Sequence, residues 1–286
     1  MATPTVRRLQ LGNELRHLRQ KTGREQAEAA EALDCGIGKI SRLELGQGGI
    51  SKGDLKLLLE FYDVDPGEMQ WMFELARTRS SRGRWSSYRS VFPEWFRMYV
   101  DLETDADDIR QVQGEIMPGI LQTEAYIRAM DTASARRESE DIDANVAARQ
   151  ERQAILTRAK PVTASFILSE SCLRRQVGAV EAMHEQLDHL SEIALQQNVN
   201  LQVLPFNVET PGGAMSFDFT MLRIPSDGIA ADLEFVYVEC LDDARYLDDK
   251  DAVSAYDKVW SQLQAAALSP KKSLNVIRSV RKQYSE

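Results

Sequence analysis

The stretch QAEAAEALDCGIGKISRLELG, from Gln26 to Gly46, decides the fold of the N-terminal part of this chain. Each half has apolar residues at helical spacing, and only Leu33 to Gly36 separates the halves. A break this short allows only a tight corner, so the pattern predicts a helix-turn-helix. The second helix has only Ile40 and Leu43 to bury, which leaves a face free to enter a groove. The alternative is an ordinary helical hairpin inside a larger core.

The same stretch resembles the helix-turn-helix of Xre-family regulators, the class of the phage Cro and C1 repressors. It departs from that class at Arg24, Ala29, Asp34 and Gly36, where an apolar residue, leucine, glycine and a serine or threonine cap are usual. The class also pairs an arginine with a glutamate beneath the second helix. The residues that match the class are Gly23, Gln26, Ala30, Leu33, Ile40, Ser41, Arg42, Glu44 and Gly46.

In the matching class the second helix lies in the DNA major groove. Arg42 is the best base reader, because its guanidinium can bond both O6 and N7 of guanine; the alternative is that it pairs with a nearby glutamate. Gln26 would hold a phosphate or brace the first base contact. The resemblance also implies a partly buried ion pair between Arg19 and Glu44. The DNA-binding candidates are Gln26, Ile37, Gly38, Lys39, Ser41 and Arg42, with Arg7 and Arg8; Lys39, Arg7 and Arg8 are the candidates for phosphate contacts.

The chain has 286 residues, a length typical of two domains, and a formal net charge of -9. Charges roughly cancel over residues 5–65, arginines concentrate in 77–89, and acids concentrate in 101–143. This asymmetry directs phosphates toward one end of the molecule. Without a long apolar run or a signal segment, we expect a cytoplasmic protein with no membrane segment. The three cysteines are predicted to be buried free thiols.

The sequence divides into a helix-turn-helix domain over 1–77, a basic linker over 78–90, and a C-terminal domain over 91–286. Helical and strand patterns mix in the last of these, which predicts an α+β domain with a small, mostly antiparallel sheet. Its predicted helices cover Leu102–Gln113, Leu121–Met130, Ala144–Arg158, Glu181–Gln196, Ala252–Leu263 and Ser273–Tyr284. Its predicted strands cover Val162–Leu168, Val199–Pro205, Phe217–Ile224 and Leu233–Cys240.

The string PGILQTEAY, from Pro118 to Tyr126, is the most specific part of a second resemblance. It is similar to a domain of unknown function that follows an Xre helix-turn-helix in many actinobacterial regulators. Those regulators are encoded beside a small partner protein, in an antitoxin-like arrangement. The resemblance implies a partner or ligand site in the C-terminal domain, although most of its candidates also fit an ordinary core. The partner or ligand candidates are Trp85, Trp95, Tyr99, Tyr126, Arg149 and Arg152.

No catalytic residues, cofactor or metal site are predicted. His184 and His189 are five positions apart, about 140° around a helix, so they cannot share a metal. We therefore predict a sequence-specific regulator of transcription that binds double-stranded DNA as a homodimer and senses a partner protein or ligand. The alternative is an antitoxin-like interaction module that acts mainly by binding a small partner protein. The sequence leaves open the operator, the regulated genes, the sign of regulation, the effector and the dimer interface.

Overall fold

A computed structural model describes residues 2–77, 85–88, 91–133, 142–209 and 218–284 of the chain. The chain divides into two units. Unit 1 contains residues 1–86 together with 224–233, and unit 2 contains 87–223 together with 234–286. Of the predicted linker over 78–90, only 85–88 are described, and the rest lies outside the described residues. The inclusion of 224–233 in unit 1 was not anticipated from the sequence.

Unit 1 contains five helices in the described residues. They are α1 Pro4–Lys21, α2 Gln26–Ala32, α3 Ile37–Glu44, α4 Lys52–Phe61 and α5 Pro66–Ala76. The side chain of Thr3 caps α1 by accepting a hydrogen bond from the backbone N–H of Val6, and Ser51 caps α4 in the same way. Leucines of α1 and α4 pack with Ala29, Ala30 and Ile40 into one hydrophobic core. This arrangement confirms the predicted N-terminal helix-turn-helix region.

The corner between α2 and α3 is a tight turn, as predicted. Asp34 has a φ of +47°, the left-handed region that glycine occupies most easily, and aspartate is one of the few other residues that tolerate it. The N–H of Cys35 donates to the carbonyl of Ala30 at 2.9 Å, which closes the turn. Gly36 has an extended backbone and precedes α3 as its cap residue, without a side-chain hydrogen bond.

The crossing of α1 and α3 depends on a glycine that the sequence analysis did not single out. A Cβ atom added to Gly12 would lie 2.5 Å from the carbonyl oxygen of Leu43 and 2.7 Å from that of Glu44. Only glycine permits so close an approach between two backbones. The close crossing fixes α3 against α1, so the position of α3 is set by backbone contact as well as by the core.

Residues 224–233 are held to α1 by polar contacts. The carboxylate of Glu14, whose residue is only 1% exposed, accepts hydrogen bonds from the N–H of Ala230 at 3.0 and 3.2 Å. The hydroxyl of Ser226 lies 3.2 Å from the same carboxylate, and the amide of Gln10 donates to the carbonyl of Pro225 at 3.0 Å. A buried carboxylate must be hydrogen-bonded, and backbone and hydroxyl groups of this segment supply those bonds.

Unit 2 is built on a mixed sheet, which confirms the predicted α+β class. Among the described residues its strands are β1 Asp108–Gln113, β2 Thr163–Ser169, β3 Val199–Leu204, β4 Phe219–Ile224, β5 Leu233–Glu239 and β6 Ala244–Leu247. They lie in the order β3-β2-β1-β4-β5-β6. β1 is parallel to β2, and β2 to β3, whereas the β1–β4 and β5–β6 pairs are antiparallel. The sheet is therefore mixed, with β1, β2 and β3 parallel to one another.

The predicted helix from Leu102 to Gln113 is wrong in its second half. Helix α6, Glu94–Asp105, ends early, and the central strand β1 follows it. Ile109 and Val112 are the buried residues of β1, and their spacing of three is also that of a helix face. In a strand, positions three apart point to opposite faces of the sheet. Their spacing thus reflects a strand with both faces covered.

The remaining helices of unit 2 agree closely with the sequence patterns. They are α7 Glu124–Ala133, α8 Ile142–Gln153, α10 Val180–Ile193, α11 Lys250–Ala266 and α12 Pro270–Gln283. The strand predicted from Phe217 begins at Phe219 in the described residues, and residue 217 lies outside them. The short helix α9, Glu170–Arg174, and the strand β6 were not predicted. None of the described helices has both the length and the apolar character needed to cross a membrane.

Candidate functional site

The face of α3 that was predicted to stay out of the core is exposed. Ile40, Leu43 and Glu44 are the buried residues of this helix, whereas Ile37 is 53% exposed. Gly38 and Arg42 are exposed, and Lys39 and Ser41 are half-buried. An isoleucine this exposed at the first position of a helix has no packing role in unit 1. The exposed face therefore carries both an apolar contact group and a cation.

Arg42 has no side-chain hydrogen bond or ion pair with any residue in the described ranges. The alternative that it pairs with a nearby glutamate is therefore not seen there. The site where Gly38 would carry a Cβ lies 3.9 Å from Nη1 of Arg42, so the guanidinium lies beside the start of α3. An arginine presents its donors in a planar fork, and this fork remains available on the exposed face.

Lys39 differs from Arg42 because it already has a partner. Its Nζ lies 2.8 Å from Oδ2 of Asp54, at the start of α4. The hydrogen bond that Lys39 donates to Asp54 raises the pKa of Lys39 and lowers the pKa of Asp54. Both side chains are about one-third exposed, so water screens the pair. The predicted phosphate contact of Lys39 therefore requires this ammonium to leave Asp54 or to be shared with it.

The predicted ion pair between Arg19 and Glu44 is present and buried. Nε of Arg19 lies 2.6 Å from Oε1 of Glu44, and Nη2 lies 3.1 Å from Oε2. The two side chains are 11% and 4% exposed, respectively. The hydrogen bond to Glu44 raises the pKa of Arg19 against the opposing effect of burial. This two-pronged contact joins the end of α1 to the end of α3.

Gln26 takes part in the same network. Its amide Nε2 donates to Oε2 of Glu44 at 2.8 Å, so its side chain is directed to the ion pair. Gln26 was predicted to hold a phosphate or to brace the first base contact; in this geometry its amide donates to the carboxylate at the end of α3. Arg7 and Arg8, the remaining candidates, lie in the first half of α1, where Arg7 is half-buried and Arg8 is exposed.

In unit 2, four of the six partner or ligand candidates line one cavity of about 940 Å³. These four are Trp95, Tyr99, Arg149 and Arg152. The other two do not line it. Tyr126 is fully buried, its hydroxyl accepts a hydrogen bond from the N–H of Met117 at 3.3 Å, and burial raises its pKa to about 12. Trp85 is also buried. Both residues therefore fit the alternative left open from the sequence, in which the candidates belong to an ordinary hydrophobic core.

A buried ion pair lies in the wall of this cavity. Nε of Arg152 lies 2.7 Å from Oε2 of Glu103, and Nη2 lies 2.9 Å from Oε1. The two side chains are 5% and 1% exposed, respectively. The guanidinium also lies 5.0 Å from the ring centre of Phe96 and 5.6 Å from that of Tyr99, within the range of a cation–π contact.

Several residues of the cavity wall were not predicted as site residues from the sequence. Among these are Glu103, Gln113, Gln122, Asp218 and Tyr237. They come from α6, β1, the turn before α7, the position directly before β4, and β5. No local spacing connects such positions, because the sheet order brings β1, β4 and β5 side by side. Of these five residues, only Gln122 lies in the string from Pro118 to Tyr126 that carries the second resemblance.

The cysteines and histidines form no metal site in the described part of the chain, where no group of three or more potential ligands is close enough to hold an ion. Cys172 is buried, as predicted for all three thiols, and burial raises its pKa. Cys35 is only half-buried and Cys240 is exposed, so the prediction of burial is wrong for Cys240. Cys240 follows β5 directly, at the rim of the cavity.

The corner, the buried pair beneath α3 and the exposed face of α3 define a helix-turn-helix protein. A family model described as a helix-turn-helix domain matches residues 10–72. This is a class of domain that binds DNA. A second model, described as a domain of unknown function (DUF5753), matches residues 96–279. The chain belongs to this DUF5753 family. Comparisons with curated proteins and with solved structures gave no match.

Proposed function

We propose that this protein is a cytoplasmic, sequence-specific regulator of transcription of the Xre type, and that its C-terminal domain receives a partner protein or a ligand. The observation that carries the proposal is the exposed face of α3, where Arg42 stands without a partner among the described residues. The buried contact of Arg19 with Glu44 and the close approach at Gly12 support it, because both hold α3 rigidly. A rigid helix loses little conformational freedom when it binds.

In the proposed complex, α3 enters the major groove with its first turn toward the bases. Arg42 donates two hydrogen bonds to O6 and N7 of a guanine, and Ile37 contacts a thymine methyl group. Gly38 and Ser41 lie close to the base edges, and Gln26 braces the end of α3 through Glu44. Lys39, Arg7 and Arg8 contact phosphates, which fix the register without reading sequence.

Replacing Arg42 with alanine should remove sequence preference at one position of each half-site. The loss of discrimination should be about 1 to 3 kcal/mol, because one two-pronged guanine contact disappears. Replacing Lys39 with alanine should instead weaken binding to all sequences alike and reduce the slope of log K against log salt concentration by about one. Selection from random DNA, followed by affinity measurements at several salt concentrations, separates the two effects.

Arg278→Ala is the matched control for Arg42→Ala, because it removes one exposed arginine from α12 in unit 2. It should change neither the selected sequence nor the salt slope. If Arg42→Ala selects the same operator as the natural chain with the same affinity, the proposed reading face is incorrect.

We further propose that the protein acts as a homodimer. One short recognition helix rarely discriminates one site from the many competitors in a genome, and a two-fold pair places two such helices about 34 Å apart. The selected operators should accordingly contain two half-sites whose centres are about 10 base pairs apart. Light scattering should give the mass of two chains in the complex with DNA. A single chain bound to a single half-site would exclude this arrangement.

A further inference from the structure

The cavity of unit 2 has one wall of buried polar side chains. Glu103, Gln122, Asn145 and Arg152 line it, although each is at least 95% buried. They are held in place by hydrogen bonds: Arg152 bonds Glu103, the amide of Gln122 donates to the carbonyl of Met117 at 2.7 Å, and Asn145 donates to a neighbouring aspartate. Buried polar groups that border an open volume are typical of a pre-formed small-molecule site, and about 940 Å³ is within the size range of such sites.

A second wall is a continuous row of aromatic rings. The ring centres of Trp95 and Phe96 are 5.9 Å apart, those of Phe96 and Tyr99 are 5.1 Å apart, and those of Tyr99 and Tyr237 are 4.3 Å apart. Trp95 and Phe96 are only partly buried and therefore present ring surface to the cavity. A row of this kind favours a planar apolar group, and its ring faces also attract cations.

The residues that line the cavity carry more negative than positive charges. Arg152 is neutralised by Glu103, which leaves Arg149 as the other lining cation. The carboxylate of Asp218 and, at the exposed rim, those of Glu239 and Asp242 oppose it. A cavity with this balance attracts a cation and repels an anion.

Asp218 is the carboxylate best placed to select a cation. It accepts hydrogen bonds from the N–H of Gly114 at 2.7 Å and from the amide of Gln113, which are both neutral donors. It forms no ion pair with any residue in the described ranges. Burial raises its pKa above the ordinary aspartate value, which is the effect expected of a carboxylate that lacks a counter-charge. A cation beside Asp218 would supply that charge.

We propose that this cavity binds a small planar aromatic molecule carrying a positively charged amine, with its ring against Trp95 and Phe96 and its ammonium beside Asp218. The inference rests on the proposed regulatory role of the C-terminal domain and names the chemical class of its ligand. It needs no second molecule and no covalent step.

Three indoles test the proposal, because they share a two-carbon side chain that ends in an ammonium, a hydroxyl or a carboxylate group: tryptamine, tryptophol and indole-3-propionate. Calorimetric titration into the full chain, without DNA, should show binding of tryptamine in the range of about 1 mM, the affinity expected of so small a probe. Tryptophol should bind about tenfold more weakly, because it lacks the charge-assisted hydrogen bond, and indole-3-propionate more weakly still.

Asp218→Asn should weaken tryptamine binding about tenfold and leave tryptophol binding unchanged. Glu181→Gln is the matched control, because it removes one negative charge from an exposed position on α10 and should change neither affinity. A melting curve for each variant establishes that it is folded. If none of the three indoles binds the natural chain, or if the propionate binds most tightly, the proposal is overturned. Since no DNA is present, either result leaves the proposed DNA binding to its own test.

Discussion

Replacing Glu103 with glutamine should lower the free energy of unfolding of unit 2 by about 3 to 5 kcal/mol. The substitution keeps the shape of the side chain, but an amide replaces the carboxylate whose Oε2 lies 2.7 Å from Nε of Arg152. The guanidinium, whose side chain is only 5% exposed, then has no counter-charge. The nearby rings of Phe96 and Tyr99 compensate only in part, because a cation–π contact is weaker than a buried ion pair. Hydrogen exchange of the amides in β1 and β2 measures the effect in unit 2 alone.

The control for this prediction is the double variant Glu103→Gln with Arg152→Met. Methionine removes the buried cation and retains much of its volume, so the double variant should recover most of the lost stability. If the single variant protects its β1 and β2 amides as well as the natural chain does, the pair is not a buried charge pair in solution.

Replacing Glu44 with alanine should destabilise unit 1 by about 3 to 5 kcal/mol. Arg19, Gln26 and Glu44 form one network in which the carboxylate accepts three hydrogen bonds, at 2.6, 3.1 and 2.8 Å. Without the carboxylate, the charge of Arg19 remains beneath α3, and among the described residues only the carbonyl of Arg24 is left to accept from it, at 2.9 Å. Thermal unfolding, together with hydrogen exchange of the amides in α1 and α3, measures this loss of stability.

This loss should be independent of pH around neutrality. The pKa of Arg19 is raised in the folded state by its hydrogen bond to Glu44. A raised pKa contributes stability that is fully present below the unfolded value and is lost only as the pH rises through the folded value. For an arginine both values lie far above neutral pH.

Glu60→Ala is the control for Glu44→Ala. Glu60 pairs with Lys56 on the exposed side of α4, so its replacement should change the free energy of unfolding of unit 1 very little. Equal effects of the two substitutions would contradict a buried role for Glu44.

The sequence was most informative where contacts are local. The helix-turn-helix could be predicted because α2, the corner and α3 lie within about twenty consecutive residues, so that the spacing along the chain carries the pattern. The pair of Arg19 and Glu44 was also predictable, but only because the resemblance connects two positions on different helices. Gly12 was not predicted, because nothing in its neighbours along the chain indicates that another backbone passes 2.5 Å from where its Cβ would be.

The sequence was least informative where the structure depends on the sheet. Ile109 and Val112 fit a helix as well as a two-sided strand, and only the pairing of β1 with β2 and β4 decides between them. Trp95, Tyr99, Arg149 and Arg152 were candidates from the sequence and line the cavity, but Asp218 was not a candidate. It reaches the cavity because β4 lies beside β1, which brings Asp218 to Gln113 and Gly114 across more than 100 residues of sequence.

The hydrogen bonds of Glu14 tie the completion of unit 1 to the order in which the ribosome makes the chain. Ala230, whose N–H bonds the Glu14 carboxylate, is synthesised 216 residues later. At about 5 to 20 residues per second, that delay is on the order of 10 to 40 s. During this time α1 to α5 can assemble their core, but the carboxylate must stay hydrated, because Ser226 and Ala230 do not yet exist. The DNA-binding unit of a nascent chain is therefore finished only when most of unit 2 has also emerged.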